Sequence, residues 1–434
     1  MKAKISQAYL PNLGDVYNRR YQDVRDQSTR LTACLSAEDQ QVQSMPDTSP
    51  TKWHLGHTAW FFETFVLQPE VPDYRIFDST FNYLFNSYYE LIGPRHLRAE
   101  RGLVSRPALE EVQAYRAHVD AAMEKFFDVA SSDKLKKLCY LLELGLHHEQ
   151  QHQELILMDI KHVLSRNPFS PCYLKKEPAT VFGTHKMQWL QVPSGVYRIG
   201  HGDENHFAFD NEKSEHKTMQ GEFALSSRCV TNGEYLQFMK DGGYERAEFW
   251  HSDGWALINK EAWQAPLYWQ LGEDNIWYEF TLSGLSALYH DAPVCHVSFF
   301  EAAAYAAWAG KRLPTENEWE IAARYYDVAD RPGADSNQMA SGYLRPIPAG
   351  EDEPKAPIGM FGDVWEWTNS AYLPYPGFRT TSGAVGEYNG KFMINQMVLR
   401  GASCCTAPGH TRVTYRNYFY PHQRWQFAGF RLAL

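Results

Sequence analysis

The sequence predicts a multi-domain protein, with an all-α helix bundle first and a loop-rich α+β domain after it. Three observations predict this. The chain has 434 residues, more than one core serves at about 100–200 residues per domain. Up to about Arg166, long segments keep a helical period and hold almost no glycine or proline, as in helices joined by short connections. From Met187 onward the apolar runs are short and broken by Gly, Pro, Asn and Asp, the texture of an irregular α+β domain.

The first marked helix start lies in DTSPTKWHLGHTAWFFETFVL, where Ser49 reads as the N-cap and Pro50 as the first helical position. Two long helices are expected over Leu109–Val129 and Lys134–Leu164. The stretch from Asn167 through Pro168, Pro171 and Pro178 reads as a linker, which places the domains at 1–185 and 186–434. In the second domain the clearest helices are Ser298–Trp308 and Glu316–Ala323. No fixed-period repeat and no low-complexity tract occurs.

Composition narrows the partners. The chain carries 42 Lys and Arg against 52 Asp and Glu, a formal net charge of -10, so no general attraction to nucleic acid or anionic lipid is expected. A small-molecule partner fits better. The first twenty residues lack the apolar core of a signal peptide, and no run of ~18 apolar residues occurs; a soluble, cytoplasmic protein without a membrane partner is the expectation. Seven scattered cysteines show neither CxxC nor finger spacing, so reduced thiols are expected and structural zinc is not. Aromatic residues make up 15% of the chain, which either fills cores or builds walls for an organic cation.

The sharpest chemical signal is GLHHEQQHQELILMDIKH, residues 145–162. On a helix His148 and His152 lie about 40° apart, on the side of Leu141, Leu144 and Leu155. Two neutral imidazoles one turn apart present lone pairs that helix backbone cannot satisfy, and a divalent metal is the common solution. Glu154 points about 120° away from His148, so it reads as a residue that orients a histidine from behind or pairs at the surface. A third ligand is expected from the upstream helix, where His57 shares a face with Trp53, Trp60, Phe61 and Thr64. His54 competes with it. Three histidines would leave open positions on a metal, and imidazoles suit iron, zinc or copper alike.

The pattern His148-x-x-x-His152-x-Glu154, joined to SPTKWHLGH, resembles the DinB-type four-helix bundle of the EgtB family of ergothioneine biosynthesis. VPSGVYRIG, PVCHVSFFEAAAYAAWAGKRLPTENEWEIAAR, GMFGDVWEWTNS, VLRGASCCTAPGHTRVTYRN and RWQFAGFRLAL resemble the formylglycine-generating-enzyme fold, a sulfatase-modifying, C-type-lectin-like domain. Together they cover nearly the whole chain. The resemblance implies an iron(II)-dependent oxidoreductase that joins the imidazole carbon of hercynine (N,N,N-trimethylhistidine) to the sulfur of cysteine or γ-glutamylcysteine, using O2 and leaving a sulfoxide. It carries the iron ligands onto His57, His148 and His152. It implies further that the bundle supplies iron and the C-terminal loops much of the substrate pocket.

The same resemblance suggests the remaining roles. Gln151 is expected to bind the hercynine imidazole, Asn417 its carboxylate, and Tyr418 or Phe419 its trimethylammonium, which has no N–H and must be held by π-faces. Arg98 and Arg101 are candidates for the carboxylate of the sulfur donor, which suits a guanidinium fork. For the proton donor, one subtype points to Tyr372 and Tyr375 and another to the pair Tyr88 and Tyr89; the RNYF and WQFAGFRL segments favour the pair. Cys404 and Cys405 are adjacent, so their thiols fall on opposite sides of an extended chain and make a poor copper clamp, which argues against formylglycine generation. A selenoneine-type synthase, a zinc-dependent DinB-type thiol transferase and a non-catalytic binding module are the competing readings.

Overall fold

The structure, a computed structural model, describes residues 12–175, 183–328, 336–352, 354–381 and 383–434. Two compact units divide the chain: Met1–Ser87 with Ile92–Gln153, and Tyr88–Leu91 with Glu154–Leu434.

Four long helices organise the first unit: α1 (Leu13–Thr32), α2 (Thr51–Phe62), α3 (Leu109–Val129) and α4 (Ser132–Ser165). α4 continues past this unit, its residues from Glu154 on belonging to the second. α3 has the bounds that the sequence predicts, and α4 extends the predicted segment slightly at both ends. α2 starts one residue later than expected. Its N-cap is Pro50, in an extended conformation at φ -58° and ψ 142°. Ser49, which precedes a proline and is biased away from helix, does not cap; its hydroxyl accepts a hydrogen bond from Arg101 Nη1 at 2.9 Å.

Every residue of α2 is buried. A helix wrapped on all sides must satisfy its polar side chains from within the protein. Lys52 accordingly donates to the Pro107 carbonyl at 2.9 Å, and His54 and His57 find the partners described below. Two close approaches depend on glycine. A Cβ on Gly56 would sit 2.3 Å from the Phe85 ring, and one on Gly145 of α4 would sit 2.7 Å from the Phe62 ring. After Phe62 the helix widens into a π turn, Glu63–Leu67, a feature that often accompanies functional sites. The buried Glu63 carboxylate is held there by the hydroxyls of Tyr115 at 2.6 Å and Tyr74 at 2.8 Å.

One buried carboxylate ties these helices together. Glu149 of α4 accepts from Arg25 of α1 at 2.9 Å, from Ser28 of α1 at 2.7 Å and from Arg116 of α3 at 3.1 Å. Arg116 also donates to Thr58 of α2 at 2.9 Å. Burial alone would push the Glu149 carboxyl up, but the two guanidiniums override it and hold it at about 2.

In the second unit the strands are short and the sheets small. β1 (Trp189–Val192) pairs antiparallel with β4 (Phe223–Ser226), and β2 (Gly195–Ile199) with β3 (His216–Gln220). β5 (Trp269–Leu271), β6 (Trp277–Thr281) and β7 (Gly284–Ala287) form a meander. The largest sheet has the order β10–β9–β8–β11, from Asn417–Phe419, Met397–Gly401, Trp365–Ala371 and Ala428–Gly429. Three helices begin with reciprocal capping boxes: α5 (Asn232–Lys240) on Thr231 and Glu234, α7 (Phe299–Trp308) on Ser298 and Glu301, and α8 (Glu316–Tyr325) on Thr315 and Glu318; α6 is Ser252–Lys260. The last two boxes explain why the helices of SFFEAAAYAAW and TENEWEIAAR were legible.

Buried ion pairs join the recurrent segments of this unit. Glu366 of β8 holds Arg431 in a two-point contact at 2.5 and 2.7 Å and accepts from Trp319 Nε1 at 2.8 Å. Glu320 pairs with Arg400, and Glu316 with Arg416 at 2.8 and 2.9 Å. Among the described residues no helix is long and apolar enough to cross a membrane.

Breaking a buried pair from one side strands charge in a low dielectric and costs about 3–5 kcal/mol. Glu149→Gln is therefore expected to lower the unfolding free energy of the metal-free protein by that amount, read as a urea transition at lower denaturant. An unchanged midpoint would show that Arg25 and Arg116 do not need this carboxylate.

Candidate metal centre

Among the described residues one group of ligand-type side chains is close enough to share an ion. One ring nitrogen each from His57, His148 and His152 lie within 4.8 Å of one another, and all three residues are buried. α2 delivers the first and α4 the other two.

The hydrogen bonds decide which nitrogens face inward. His57 Nδ1–H donates to the Phe85 carbonyl at 2.6 Å, which leaves Nε2 as a lone pair. That Nε2 is 3.1 Å from His148 Nε2, about the separation of two nitrogen ligands at right angles with bonds of ~2.0–2.1 Å. His152 pairs through Nδ1 with His54 Nδ1 at 2.8 Å, so its Nε2 is left for a ligand role. The clustered group contains His57 and not His54, which instead lies behind His152 in the position of an outer partner that would orient a metal-binding imidazole.

Electrostatics keep the three rings in the form that binds metals. Burial above all, and then the neighbouring imidazoles, holds His57 and His152 well below the usual histidine range. Burial takes His148 down to about 3, against the pull of Glu149. Neutral, buried imidazoles converging within 4.8 Å fit a divalent transition metal.

The ring of His57 lies between two indoles. Trp53 stacks on it with centroids 4.6 Å apart, and Trp60 with centroids 5.5 Å apart, each at an interplanar angle of 15°. Both indoles are tied down, Trp53 to the Leu84 carbonyl at 2.9 Å and Trp60 to Asn82 at 2.8 Å. Arg101 is buried with its guanidinium 3.3 Å from the Trp53 centroid, donating to Ser49 and to Ser87. Its positive charge helps to keep His57 and His152 neutral. Arg98 is exposed and donates to the Asp47 carbonyl. Gln151, beside His152 on α4, is half-buried.

Other expected site residues fall in the second unit. Glu154 is buried, and its carboxylate accepts from Trp365 Nε1 at 2.8 Å, Ser403 at 2.6 Å and Thr406 at 2.8 Å. The expectation that it orients a histidine finds no counterpart among its described hydrogen bonds, because three donors from the RGASCCT and WEWT segments already surround it. On β10, Tyr418 stacks on Tyr372 at 4.1 Å, whereas Phe419 meets Trp425 edge-on at 5.7 Å. Successive strand residues point to opposite faces, so the two rings do not serve one pocket. The Asn417 side chain accepts from the Tyr418 amide at 2.9 Å.

Tyr88 and Tyr89 stack at 4.6 Å, and Tyr89 is fully buried. Burial raises both phenols above their ordinary range, so they remain protonated. Tyr372 accepts from Asn211 at 2.8 Å and Tyr375 donates to Glu316 at 3.2 Å.

The sequence did not single out Glu149 or the Arg101–Trp53 stack. Glu149 was visible inside HHEQQH, but its partners come from separate helices and share no spacing with it. Loss of an outer partner weakens a metal site about 10–100-fold. Trp53→Leu is expected to weaken metal binding by about tenfold or more in competition with a chelator, and Trp53→Phe, which keeps a flat ring, to retain most of the affinity. Equal affinity in both variants would remove the stack from the site.

Residues 20–156 match the DinB superfamily, and residues 177–434 the Sulfatase-modifying factor enzyme 1-like domain. The chain is 32% identical over 436 residues to the hercynine oxygenase of Mycolicibacterium smegmatis, across 94% of this chain and 96% of that protein. It is 30% identical over 404 residues to the hercynine oxygenase of Mycobacterium tuberculosis, across 89% of this chain and 91% of that protein. A formylglycine-generating enzyme of Thermomonospora curvata is 31% identical over 211 residues, only 41% of this chain and 69% of that protein. End-to-end similarity, with a helical first region and a mixed α/β second one, goes with the oxygenases: the chain is an enzyme of the hercynine oxygenase family.

Proposed function

We propose that the protein is a sulfoxide synthase that joins hercynine to the sulfur of cysteine or γ-glutamylcysteine at the expense of O2, with iron(II) held by His57, His148 and His152. The observation that carries this reading is the triad of buried, neutral imidazoles in a chain that aligns over almost its whole length with hercynine oxygenases. Bound there, iron(II) would supply the redox chemistry that O2 requires.

The chain's own residues divide the remaining work. Three neutral ligands bring no negative charge, so a thiolate substrate is the fitting anion, and the buried Arg101 guanidinium favours it. Arg101 is assigned to the donor's carboxylate. Arg98 would join it by leaving the Asp47 carbonyl. Gln151 is assigned to the hercynine imidazole and Asn417 to its carboxylate. Tyr418, backed by Tyr372, is favoured over Phe419 as the π-face for the trimethylammonium. Tyr88 and Tyr89 are assigned the proton donation, because raised phenols hold their protons until an acceptor stronger than water arrives.

Anaerobic loading with iron(II), followed by hercynine, O2 and either cysteine or γ-glutamylcysteine, is expected to yield a sulfoxide with at least one donor by mass spectrometry. No sulfoxide with either would overturn the proposal, and turnover without O2 consumption would point to a zinc-type thiol transfer. His148→Ala is expected to lose stoichiometric iron and all product. Tyr88→Phe and Tyr89→Phe are expected to divert turnover toward oxidation of the thiol alone; full sulfoxide yield in both variants would sink their assignment.

A further inference from the structure

The four residues Tyr88–Leu91 belong to the second unit although the chain on both sides of them belongs to the first. One short stretch of that unit, residues 384–392, makes hydrogen bonds and ring contacts to them. It contains two turns of 3-10 helix, Ala384–Glu387 and Gly390–Phe392. The Glu387 carboxylate accepts both the Glu90 amide at 2.8 Å and the Leu91 amide at 2.9 Å, one on each oxygen. Lys391 donates to the Tyr88 carbonyl and to Glu387 at 2.8 Å. A carboxylate and an ammonium thus hold three backbone groups of this segment: the Tyr88 carbonyl and the Glu90 and Leu91 amides.

The side chains of the stretch continue the contact. Phe392 meets the Tyr88 ring edge-on at 5.3 Å and Tyr388 meets it at 6.1 Å, while the Lys391 ammonium lies 5.4 Å from the ring centroid. Asn389 accepts from the Tyr418 hydroxyl at 3.2 Å and donates to Asp210 at 2.7 Å. Burial works to raise the Glu387 carboxyl, but Lys391 and the two amides outweigh it and keep it below the ordinary range. Charge-assisted bonds to backbone amides are about twice as strong as neutral ones, so this is a firm hold on four residues that have no regular secondary structure of their own.

We propose that Glu387, supported by Lys391, is a positioning residue that clips the Tyr88–Leu91 segment to the 384–392 stretch and so sets where the two stacked phenols lie. Its consequence for the reaction rests on the assignment of proton donation to Tyr88 and Tyr89; the clip itself does not. The contacts of the Glu387 carboxylate are to the Glu90 and Leu91 amides and to the Lys391 ammonium. Glu387 acts through the backbone that carries the tyrosines.

The test combines a measurement on the metal-free protein with one on products. Hydrogen exchange at the Glu90 and Leu91 amides is expected to speed up at least tenfold in Glu387→Ala. In Glu387→Gln, whose amide offers one acceptor oxygen and no charge, a smaller acceleration is expected. Iron stoichiometry should stay at the wild-type value, because none of the three histidines is touched, and retained iron also shows that the variants fold. In turnover, Glu387→Ala is expected to shift the ratio of sulfoxide to oxidised thiol in the same direction as Tyr88→Phe or Tyr89→Phe. Wild-type protection of both amides in Glu387→Ala would overturn the clip. Fast exchange with wild-type products, in a protein whose tyrosine variants do divert, would overturn its positioning role. Fast exchange when both tyrosine variants also give wild-type products would support the clip and count instead against the tyrosine assignment.

Discussion

The first unit depends on one buried carboxylate. Glu149 sits in α4 next to His148 and takes two guanidiniums and a hydroxyl from α1 and α3, with Arg116 passing the connection on to α2. All of these groups are buried, so the helices must pack where the charges are satisfied. The register of α4 against its neighbours is thereby tied to the position of His148. A hydrophobic interface of the same area would tolerate sliding; a network of directional hydrogen bonds does not.

The consequence is a buried place for imidazoles. Because α2 is buried along its whole length, its histidines cannot be ordinary solvated residues, and each has a specific partner: Phe85 for His57 and His152 for His54. The small residues of HLGH and GLHH are part of the same arrangement. Gly56 lets Phe85 lie against α2, where its carbonyl reaches His57, and Gly145 lets Phe62 lie against α4. Flat neighbours complete it, with indoles on both faces of His57 and a guanidinium over one of them. Such preorganisation would let a metal bind with little reordering of these imidazoles, the cost having been met by folding.

The second unit achieves rigidity by another route. Its strands are too short to define a large sheet, and buried acid–base pairs do much of the joining: Glu366 with Arg431, Glu320 with Arg400 and Glu316 with Arg416. On that frame the 384–392 stretch presents a cluster of side chains whose contacts converge on the tyrosines. A loop can carry chemistry when its backbone is held by charged groups anchored in a rigid scaffold.

Much of this was legible in the sequence, for identifiable reasons. Helical period is a local property, so the helices Leu109–Val129 and Phe299–Trp308 were readable within a residue or so at each end, as was the shared face of Trp53, His57 and Trp60. The spacing of His148 and His152 is likewise internal to one helix, and the recurring segments of the second region were recognisable one by one. What only the tertiary structure decided was pairing between segments distant in sequence. It placed His57, oriented by the Phe85 carbonyl, in one cluster with His148 and His152, and it gave Glu154 the donors Trp365, Ser403 and Thr406. It also matched each buried glutamate to its arginine and brought Glu387 to the amides of residues 90 and 91. Periodicity records which way a side chain points along its own element; the group it meets there is set by how the elements pack, and no local pattern encodes that.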